Sequence, residues 1–359
     1  MKIGIITFHR AHNYGAVLQC YALSRVLRKM GHYVEVVDYF PNYLRDQYSL
    51  LPPIKNGVVL WIKHLIKLLP IWRVKIKRMH LFNTFISSLP LSANQYDERI
   101  DEIKGYDALV FGSDQIWNPL LSNGVDKIFS GLFEHDGELF VSYAASTSPK
   151  ICTEEYRLYF SKIIESFDKI SVREKSLAKY LNNIRLNVAV TVLDPVLLLS
   201  KKEWNTMAIY PEVENYLLIY TVPQSSLVRT HAEFIAKTKG LQIIELTAAA
   251  KNVRGKEYRQ IVGPCQFLGF FLKASYIVTT SFHGTAFSVR FGKQFSNIQL
   301  GTPVDDRALN LLESIGLQNH AVTKNSIFEV PEHINYDDVE PRLNQSVNNS
   351  ISYLRESLK

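Results

Sequence analysis

Residues 3–39, IGIITFHRAHNYGAVLQCYALSRVLRKMGHYVEVVDY, contain a strand, a helix and a second strand in the order that decides the fold class. The run IGIITF (3–8) is short and apolar, as expected of a core strand. The segment GAVLQCYALSRVLRKM (15–30) repeats its apolar residues at helical spacing, and Gly31 follows where a helix commonly ends. The run YVEVVDY then begins a second strand. This alternation predicts an α/β fold, in which crossover helices connect the strands of a parallel sheet.

The same alternation continues along most of the chain. Further strand candidates are ALVFGS, LFVSYAAS, KISV, VTVLD, YLLIYTV, LQIIELT and SYIVTT. At 359 residues the chain is long for one layered domain, and the usual domain sizes indicate two α/β units with a cleft between them. A polar segment between Ser200 and Tyr216 precedes a fresh strand, helix and strand, so we place the boundary there.

The sequence therefore predicts three parts. The first unit covers residues 1–203 and carries a basic amphipathic insertion at about 47–96, the second unit covers residues 204–325, and a tail covers residues 326–359. After Pro341 the apolar residues of the tail recur at intervals of three or four: Leu343, Val347, Ile351, Leu354 and Leu358. This spacing predicts a closing amphipathic helix that packs back on the first unit.

The composition is that of an ordinary globular protein. Hydrophobic residues make up 47% and charged residues 21% of the chain, which argues against a disordered or fibrous protein. The cysteines Cys20, Cys152 and Cys265 are far apart and have no metal-ligand spacing, so we expect neither a disulfide framework nor a zinc site. The N-terminus lacks the pattern of a signal peptide. These features predict a cytoplasmic protein without a metal.

The formal net charge is +7 and the pI is about 9.1, which suits a nucleic acid, an anionic membrane or an acidic substrate as partner. Part of this charge is local, because residues 47–96 contain no acidic residue. Seven cations lie in that segment: Lys55, Lys63, Lys67, Arg73, Lys75, Lys77 and Arg78.

Two interpretations of the basic segment stay open. Its run VVLWIKHLIKLLPIW is apolar on most of a helix surface, and it is too short and too charged to span a bilayer. It is either a helical insertion packed on the core, or a helix that lies in a membrane interface or covers a lipid-linked substrate through residues 55–80. Nucleic acid is not expected as a partner, because the cations flank an apolar helix and do not alternate with aromatic residues.

Candidate site residues follow the predicted strands, since open α/β sheets bind ligands beyond the carboxyl ends of their strands. After the first strand, Asn13 and Gly15 fit a tight loop into a helix whose free amides can hold an anion or a sugar hydroxyl, although Asn13 can equally be a simple helix cap. After ALVF, the run GSDQIWNP (112–119) sets a tryptophan beside two amides and a carboxylate, which is a combination that binds sugars. Asp114 is a general base or a helix cap.

Two later positions carry charge at a strand end. Arg173 follows KISV and offers a planar fork that matches a carboxylate or phosphate, with a surface ion pair as the alternative. The run ASYIVTT predicts a buried parallel strand, which places Ser281, Phe282 and His283 at its carboxyl end. A histidine there, beside the amides of a helix start, can exchange protons near neutral pH, although a solitary histidine is often structural.

Taken together, the stretches HNYGAVLQCYAL, DALVFGSDQIWNP, SYAAS, SVREKS, VLDPVLLL, GPCQFLGFFLKAS and TSFHGTAFSVRFGKQF resemble the polysaccharide pyruvyl transferase family, in this order and over about residues 1–317. The resemblance implies a GT-B-like fold with two Rossmann-like, doubly wound units facing a central cleft. It also implies phosphoenolpyruvate as the donor and no cofactor. The implied product is a cyclic pyruvate ketal on a hexose, most often galactose-like, in a surface polysaccharide or its lipid-linked precursor, with release of phosphate.

The resemblance also assigns roles to residues. Arg173 is implied to hold the donor and His283 to act as acid or base, while Asp114 is the third catalytic candidate and Glu174 a weaker one. Ser281 stands where some members have arginine, so another cation, Arg290 or Arg307, would replace it. The donor-binding candidates are Arg173, Ser281, Gly284, Thr285, Arg290 and Arg307. The acceptor-binding candidates are Asn13, Tyr14, Gly15, Gln19, Ser113, Asp114, Gln115, Trp117 and Asn118.

Two other functions remain open for the same fold. One is a GT-B glycosyltransferase that uses a nucleotide sugar, and the other is a carbohydrate-binding protein without catalytic activity. The expected partners are phosphoenolpyruvate and a glycan or lipid-linked sugar.

Overall fold

The structure is a computed structural model that describes residues 1–51, 54, 58–100, 102–135, 137–222, 225–302 and 305–359. Lys55, one of the cations of the predicted insertion, lies outside these residues. The chain forms two compact units: residues 1–45, 86–199 and 343–359 make the first, and residues 46–85 and 200–342 make the second. No helix in the described part of the chain has the length and apolar character needed to cross a membrane.

The first unit is built on a seven-stranded parallel sheet in the order β3-β2-β1-β4-β5-β6-β7. Its strands are β1 (Lys2–Ile6), β2 (Tyr33–Tyr39), β3 (Leu91–Tyr96), β4 (Ala108–Asp114), β5 (Leu139–Ala145), β6 (Lys169–Val172) and β7 (Ala189–Thr191). In the central strands, Ile3 pairs with Val34 on one side and with Ala108 on the other. These strands are apolar on both faces because helices cover both sides of the sheet.

The second unit contains a six-stranded parallel sheet in the order β10-β9-β8-β11-β12-β13. Its strands are β8 (Tyr216–Tyr220), β9 (Gln242–Leu246), β10 (Tyr258–Arg259), β11 (Tyr276–Thr279), β12 (Phe295–Ile298) and β13 (Ala321–Val322). Leu217, Ile219 and Val278 project from the central strands into a core that also contains Val228 and Ile235. Burial of such side chains stabilises each by about 1.5–3 kcal/mol relative to exposure.

Twelve α-helices connect or flank these strands within the described residues. They are α1 (Tyr14–Lys29), α2 (Asn42–Tyr48), α3 (Val58–Leu68), α4 (Trp72–Ser87), α5 (Arg157–Ser166), α6 (Lys175–Ile184), α7 (Lys201–Asn205), α8 (Ser226–Lys239), α9 (Pro264–Lys273), α10 (Phe282–Arg290), α11 (Asp306–Ile315) and α12 (Tyr336–Ser357). Crossover helices after parallel strands produce the doubly wound, Rossmann-like order that the sequence predicts for each unit.

Each sheet reverses its strand order at one place. β1 lies between β2 and β4 in the first sheet, and β8 lies between β9 and β11 in the second. At such a reversal the loops that follow the two neighbouring strands leave in opposite directions, which opens a crevice beyond their carboxyl ends. The segments to examine for function are therefore those that follow β1 and β4, and those that follow β8 and β11.

The sequence places the basic insertion in the first unit, whereas the structure places most of it in the second. Residues 46–85 are part of the second unit, whereas β3, which lies within the predicted insertion, is an edge strand of the first sheet. Arg78 shows the physical reason. Its buried guanidinium donates hydrogen bonds to the carbonyl oxygens of Thr247 (3.1 Å), Ala248 (2.7 Å) and Gln260 (3.1 Å), all in the second unit.

The C-terminal helix begins earlier than the sequence predicts. α12 starts at Tyr336 and includes Pro341, which costs the helix a single backbone hydrogen bond in its second turn. Residues 343–359 are assigned to the first unit. There the Ser350 hydroxyl accepts a hydrogen bond from the Leu193 amide at 3.0 Å, and the Tyr353 hydroxyl donates to the Ser142 carbonyl at 2.9 Å.

Candidate active site

The turn between β11 and α10 is fixed by a chain of hydroxyl groups. The Thr279 hydroxyl donates to the Tyr220 carbonyl at 2.6 Å and accepts from the Ser281 amide at 3.0 Å. The Thr285 hydroxyl donates to the Ser281 carbonyl at 3.1 Å and accepts from the Asn297 side chain at 2.8 Å. This network joins the ends of β8, β11 and β12, so the start of α10 has one well-defined position.

Ser281 caps α10. Its hydroxyl accepts a hydrogen bond from the Gly284 amide at 3.3 Å, and its carbonyl accepts one from the Thr285 amide at 2.9 Å. The serine that stands in place of an arginine therefore serves as the N-cap of the helix. Gly284 and Thr285 are among the predicted donor-binding residues, but both of their amides already have partners within the turn, so a donor phosphate cannot take these amides in this structure.

The space around residue 284 admits glycine but no side chain. A Cβ atom at this position would lie 2.2 Å from the Thr279 hydroxyl oxygen, which is itself committed to the Tyr220 carbonyl. No larger residue fits without moving the end of β11.

We expect Gly284→Ala to destabilise the protein by about 1–3 kcal/mol, because the added methyl group displaces the Thr279 hydroxyl. The measurement is the midpoint of urea unfolding for wild type, Gly284→Ala, Thr279→Ala and the double variant. Since the clash needs both side chains, the double variant should lose less stability than the sum of the single variants. Strict additivity would contradict this explanation.

His283 lies in the first turn of α10, at the carboxyl edge of the second sheet and beside the strand-order reversal. The residue is buried, and its ring contacts Phe282 edge to face with 5.1 Å between ring centroids. No acidic residue is present in the first turn of this helix. His283 is thus held at the position where a doubly wound sheet binds its ligand.

The two arginines predicted to replace the cation missing at Ser281 lie in different places. Arg290 is the last residue of α10, and nine helical residues place it about 12 Å along the axis from the first residue. It therefore lies away from the carboxyl edge, and its prediction as a donor ligand is corrected. Arg307 lies in the first turn of α11, which follows β12 at the same edge of the sheet as His283.

In the first unit, Arg173 is the centre of a buried ionic cluster. Its side chain is 3% exposed, and its guanidinium contacts four residues: Asp194 (2.8 Å), Glu174 (3.1 Å), Ser146 (3.0 Å) and Asp114 (3.8 Å). We call these five residues the Arg173 cluster. Burial acts to lower the pKa of Arg173, but the carboxylates of Glu174, Asp194 and Asp114 outweigh it and raise the pKa above its ordinary value.

This arrangement changes the role expected of Arg173. The fork predicted to bind the donor already donates hydrogen bonds to Ser146 and Glu174, which follow β5 and β6, and to Asp194, and it lies 3.8 Å from Asp114 at the end of β4. Asp194 also accepts from the Ser113 hydroxyl at 2.8 Å and from the Val196 amide at 3.1 Å. The guanidinium thus joins neighbouring strand ends in the first unit.

Glu174 has a carboxylate oxygen without a hydrogen bond to any described residue, and Asp114 has an unusual backbone conformation. Glu174 bonds to Arg173 and to the Ser146 hydroxyl (2.7 Å) through Oε1, while its other oxygen, Oε2, is buried and makes no hydrogen bond to any described residue. Asp114 has a backbone φ of 72°, a conformation that costs energy for a residue other than glycine. Its side chain is 17% exposed, so this carboxylate remains accessible to a ligand.

The predicted acceptor-binding residues differ in how deeply they are buried. Asn13 is exposed, and Asp114 and Gln115 are partly buried. Five others have buried side chains: Tyr14, Gln19, Ser113, Trp117 and Asn118. The Asn13 side chain accepts from the Gly15 amide at 2.9 Å, which matches the helix-cap interpretation of that residue. Gln19 donates to the Thr7 hydroxyl at 2.8 Å and holds the loop after β1 from the inside.

Trp117 requires a correction. It is fully buried, and its ring contacts Phe167 edge to face with 5.5 Å between ring centroids. Its backbone amide donates to the Ser146 carbonyl at 3.2 Å, and its carbonyl accepts from the Thr147 hydroxyl at 2.9 Å. The predicted stacking of this ring on a sugar is therefore wrong in this structure. Its polar neighbours in the sequence suggested a surface position, but Trp117 is a core residue.

One polar cluster at this edge was not found from the sequence. Asp38, near the end of β2, pairs with His9 at 3.1 Å and with both the Nε and Nη2 groups of Arg10. Burial acts to raise the pKa of Asp38, but its contacts with His9 and Arg10 lower it well below the usual range. The sequence did contain a signal for this cluster. Asp38 lies near the end of the buried strand β2, and His9 and Arg10 follow β1, the strand beside it in the sheet.

Solved structures match this chain over nearly its whole length at low sequence identity. A Listeria monocytogenes protein assigned as a UDP-N-acetylglucosamine 2-epimerase matches with a TM-score of 0.51 and 9% identity over 98% of this chain and 91% of that one. The UDP-GlcNAc 2-epimerase from Neisseria meningitidis matches with a TM-score of 0.49 and 11% identity over 100% of this chain and 99% of that one. The predicted GT-B-like fold class is confirmed.

Sequence comparison identifies the family. No match was found among the curated proteins. The family model for polysaccharide pyruvyl transferase matches residues 13–299, which include β4 to β6 with the Arg173 cluster and β11 with His283. The order of strand-end motifs, the two doubly wound sheets and this match agree, and the chain belongs to the polysaccharide pyruvyl transferase family.

Proposed function

We propose that this protein transfers pyruvate from phosphoenolpyruvate to two hydroxyls of a hexose, forms a cyclic ketal and releases phosphate. The acceptor in this proposal is a galactose-like sugar of a surface polysaccharide or of its lipid-linked precursor. The single observation that carries the proposal is the family match over residues 13–299. It is supported by the placement of His283 at the carboxyl edge of the second sheet.

The proposed reaction has defined proton requirements. A proton is added to the methylene carbon of phosphoenolpyruvate, and a cation develops at C2. One sugar hydroxyl adds to C2 and loses its proton, and the C2–phosphate bond then breaks. The second hydroxyl adds and loses its proton, so the products are the ketal and inorganic phosphate. We assign the first proton transfer to His283, because imidazole donates and accepts protons near neutral pH.

Donor binding requires cations for the phosphate and carboxylate groups. Arg307 is our candidate in the second unit, because it lies in the first turn of α11, which follows β12 at the carboxyl edge that also carries His283. A guanidinium binds either anion through two parallel hydrogen bonds. Arg173 acts in this proposal through the position it gives to Asp114 and Glu174.

The first unit supplies the acceptor residues in this proposal. Asp114 is partly exposed and Asn13 is exposed, whereas the other side chains of the Arg173 cluster are buried. We assign to Asp114 the acceptance of a hydroxyl proton from the sugar. A lipid-linked acceptor is carried on a membrane surface, so the proposal includes peripheral association with the inner face of the membrane.

A nucleotide-sugar glycosyltransferase is the second candidate. A cavity of about 360 Å³ in the second unit favours it, since Thr221, Ser225, Arg229 and Glu245 line this cavity at the carboxyl ends of β8 and β9. The hydroxyls of Thr221 and Ser225 and the guanidinium of Arg229 can donate hydrogen bonds to a phosphorylated ligand at that position.

Phosphate release distinguishes the two candidates. The purified protein would be incubated with phosphoenolpyruvate and, in turn, free, nucleotide-linked and lipid-linked sugars. Release that requires both phosphoenolpyruvate and one sugar class is the expected result. Calorimetry with UDP and CMP nucleotides runs in parallel. Nucleotide-sugar turnover without use of phosphoenolpyruvate would support the glycosyltransferase and overturn our proposal, and sugar binding without turnover would indicate a binding protein.

A further inference from the structure

The described side chains of helix α3 fall into a buried or partly buried set and an exposed apolar set. Leu68 is buried, and Trp61 and Leu65 are partly buried, so this side of the helix faces the interior of the second unit, to which α3 belongs. The exposed set consists of apolar residues at spacings of three and four, three on α3 and one at the start of the 3-10 turn that follows it, and they are 47–72% exposed: Val59, Ile62, Ile66 and Leu69. Single exposed apolar residues are ordinary, but a row of four on one helix face indicates a surface that contacts something.

Basic residues lie on the same helix and on the helix that follows it. Lys63 and Lys67 are exposed on α3, and Arg73 and Lys77 are exposed at the start of α4. No acidic residue occurs from residue 47 to residue 96, so nothing within this segment neutralises them. We call the four apolar residues together with these four cations the α3 surface.

We propose that the α3 surface lies on an anionic lipid bilayer, with its apolar row in the headgroup region and its cations on the lipid phosphates. An amphipathic helix with lysine beside its apolar face binds membranes in this manner. α3 has 11 residues, about 16 Å of helix, which suits a position in the plane of the interface and not across it.

Charge argues against a second copy of the chain as the occupant. A twofold contact through the α3 surface would bring the same four cations together from both copies, and like charges across an interface oppose association. A bilayer with acidic headgroups supplies the opposite charge. This inference deepens the membrane association proposed above, but it is tested without donor or sugar and so is independent of the pyruvyl transfer chemistry.

The experiment is co-sedimentation of the full chain with vesicles. Vesicles of phosphatidylcholine with phosphatidylglycerol are compared with vesicles of phosphatidylcholine alone, at low and high salt. Wild type should bind the anionic vesicles and release them as salt rises. Ile62→Ser/Ile66→Ser should weaken binding at least about tenfold, because two apolar contacts are lost. Lys63→Gln/Lys67→Gln should weaken it about 30-fold on anionic vesicles only.

Leu158→Ser/Leu186→Ser is the matched control. These leucines are 69% and 81% exposed in the first unit, outside the basic segment, and their replacement should leave binding unchanged. Circular dichroism checks that every variant is folded, and sedimentation velocity without vesicles gives the oligomeric state. Absence of wild-type binding, or equal binding by all variants, would overturn the proposal. So would a wild-type dimer that the isoleucine pair converts to monomer.

Discussion

Arg173→Met is expected to destabilise the protein by about 3–5 kcal/mol. Methionine keeps much of the apolar stem but removes the charge that compensates three carboxylates, and an uncompensated charge in a buried site is costly. The side chains of Glu174 and Asp194 are at most 2% exposed, so water cannot replace the lost partner. The measurement is the midpoint of urea unfolding, followed by near-ultraviolet circular dichroism.

A surface arginine provides the matched control. Arg157 pairs with Glu154 at 3.6 Å, and both side chains are largely open to solvent. Arg157→Met should therefore cost only about 0–1 kcal/mol. Adding Glu174→Gln to Arg173→Met should recover part of the loss, because one buried negative charge is removed. If Arg173→Met kept wild-type stability and only weakened phosphoenolpyruvate binding, Arg173 would be a donor ligand and not the centre of a buried cluster.

His283→Gln is expected to lower the rate of phosphate release by about 10²–10⁴-fold while the protein remains folded. Glutamine retains a similar size and hydrogen-bonding groups but cannot donate a proton to carbon near neutral pH. The measurement is phosphate release under saturating phosphoenolpyruvate and acceptor, with the unfolding midpoint determined for the same preparation.

His320→Gln is the control for His283→Gln. His320 is also buried in the second unit, and its ring lies against Phe295 with 5.6 Å between ring centroids, next to β13. It lies before β13 in the chain, at the amino edge of the parallel sheet. This variant can lose stability but should keep the turnover of each folded molecule. Undiminished turnover by His283→Gln would remove His283 from the proton transfer.

Most of the fold could be predicted because its central strands are apolar on both faces. The runs at β1, β4, β5, β8 and β11 each stand out from the helical segments around them. β3 (LSANQY) was missed because it is a polar edge strand, and β12 (FSNI) because it contains Ser296 and Asn297. Both side chains are buried and satisfied: Ser296 contacts His231 at 2.9 Å, and Asn297 bonds to Thr285 at 2.8 Å.

The edge of the sheet that carries the candidate site could also be predicted, but not the direction of each side chain. The rule that ligands bind beyond the carboxyl ends of strands identified the strand-end segments that contain Asp114, Arg173 and His283. It could not show that the Arg173 guanidinium turns inward to Asp194 and Glu174, or that Trp117 packs on Phe167. Those directions depend on contacts between residues distant in the chain, which local spacing does not encode.

The central claim is that pyruvyl carbons pass from phosphoenolpyruvate to a sugar, and their covalent transfer tests it most directly. The protein would be incubated with ¹³C-labelled phosphoenolpyruvate and the acceptor that supports phosphate release, and the purified sugar product examined by nuclear magnetic resonance. The account predicts a labelled ketal methyl group and ketal carbon on the sugar, in equal amount to the phosphate released. Phosphate release with all label recovered as free pyruvate, or transfer of a sugar with no label in the product, would contradict it.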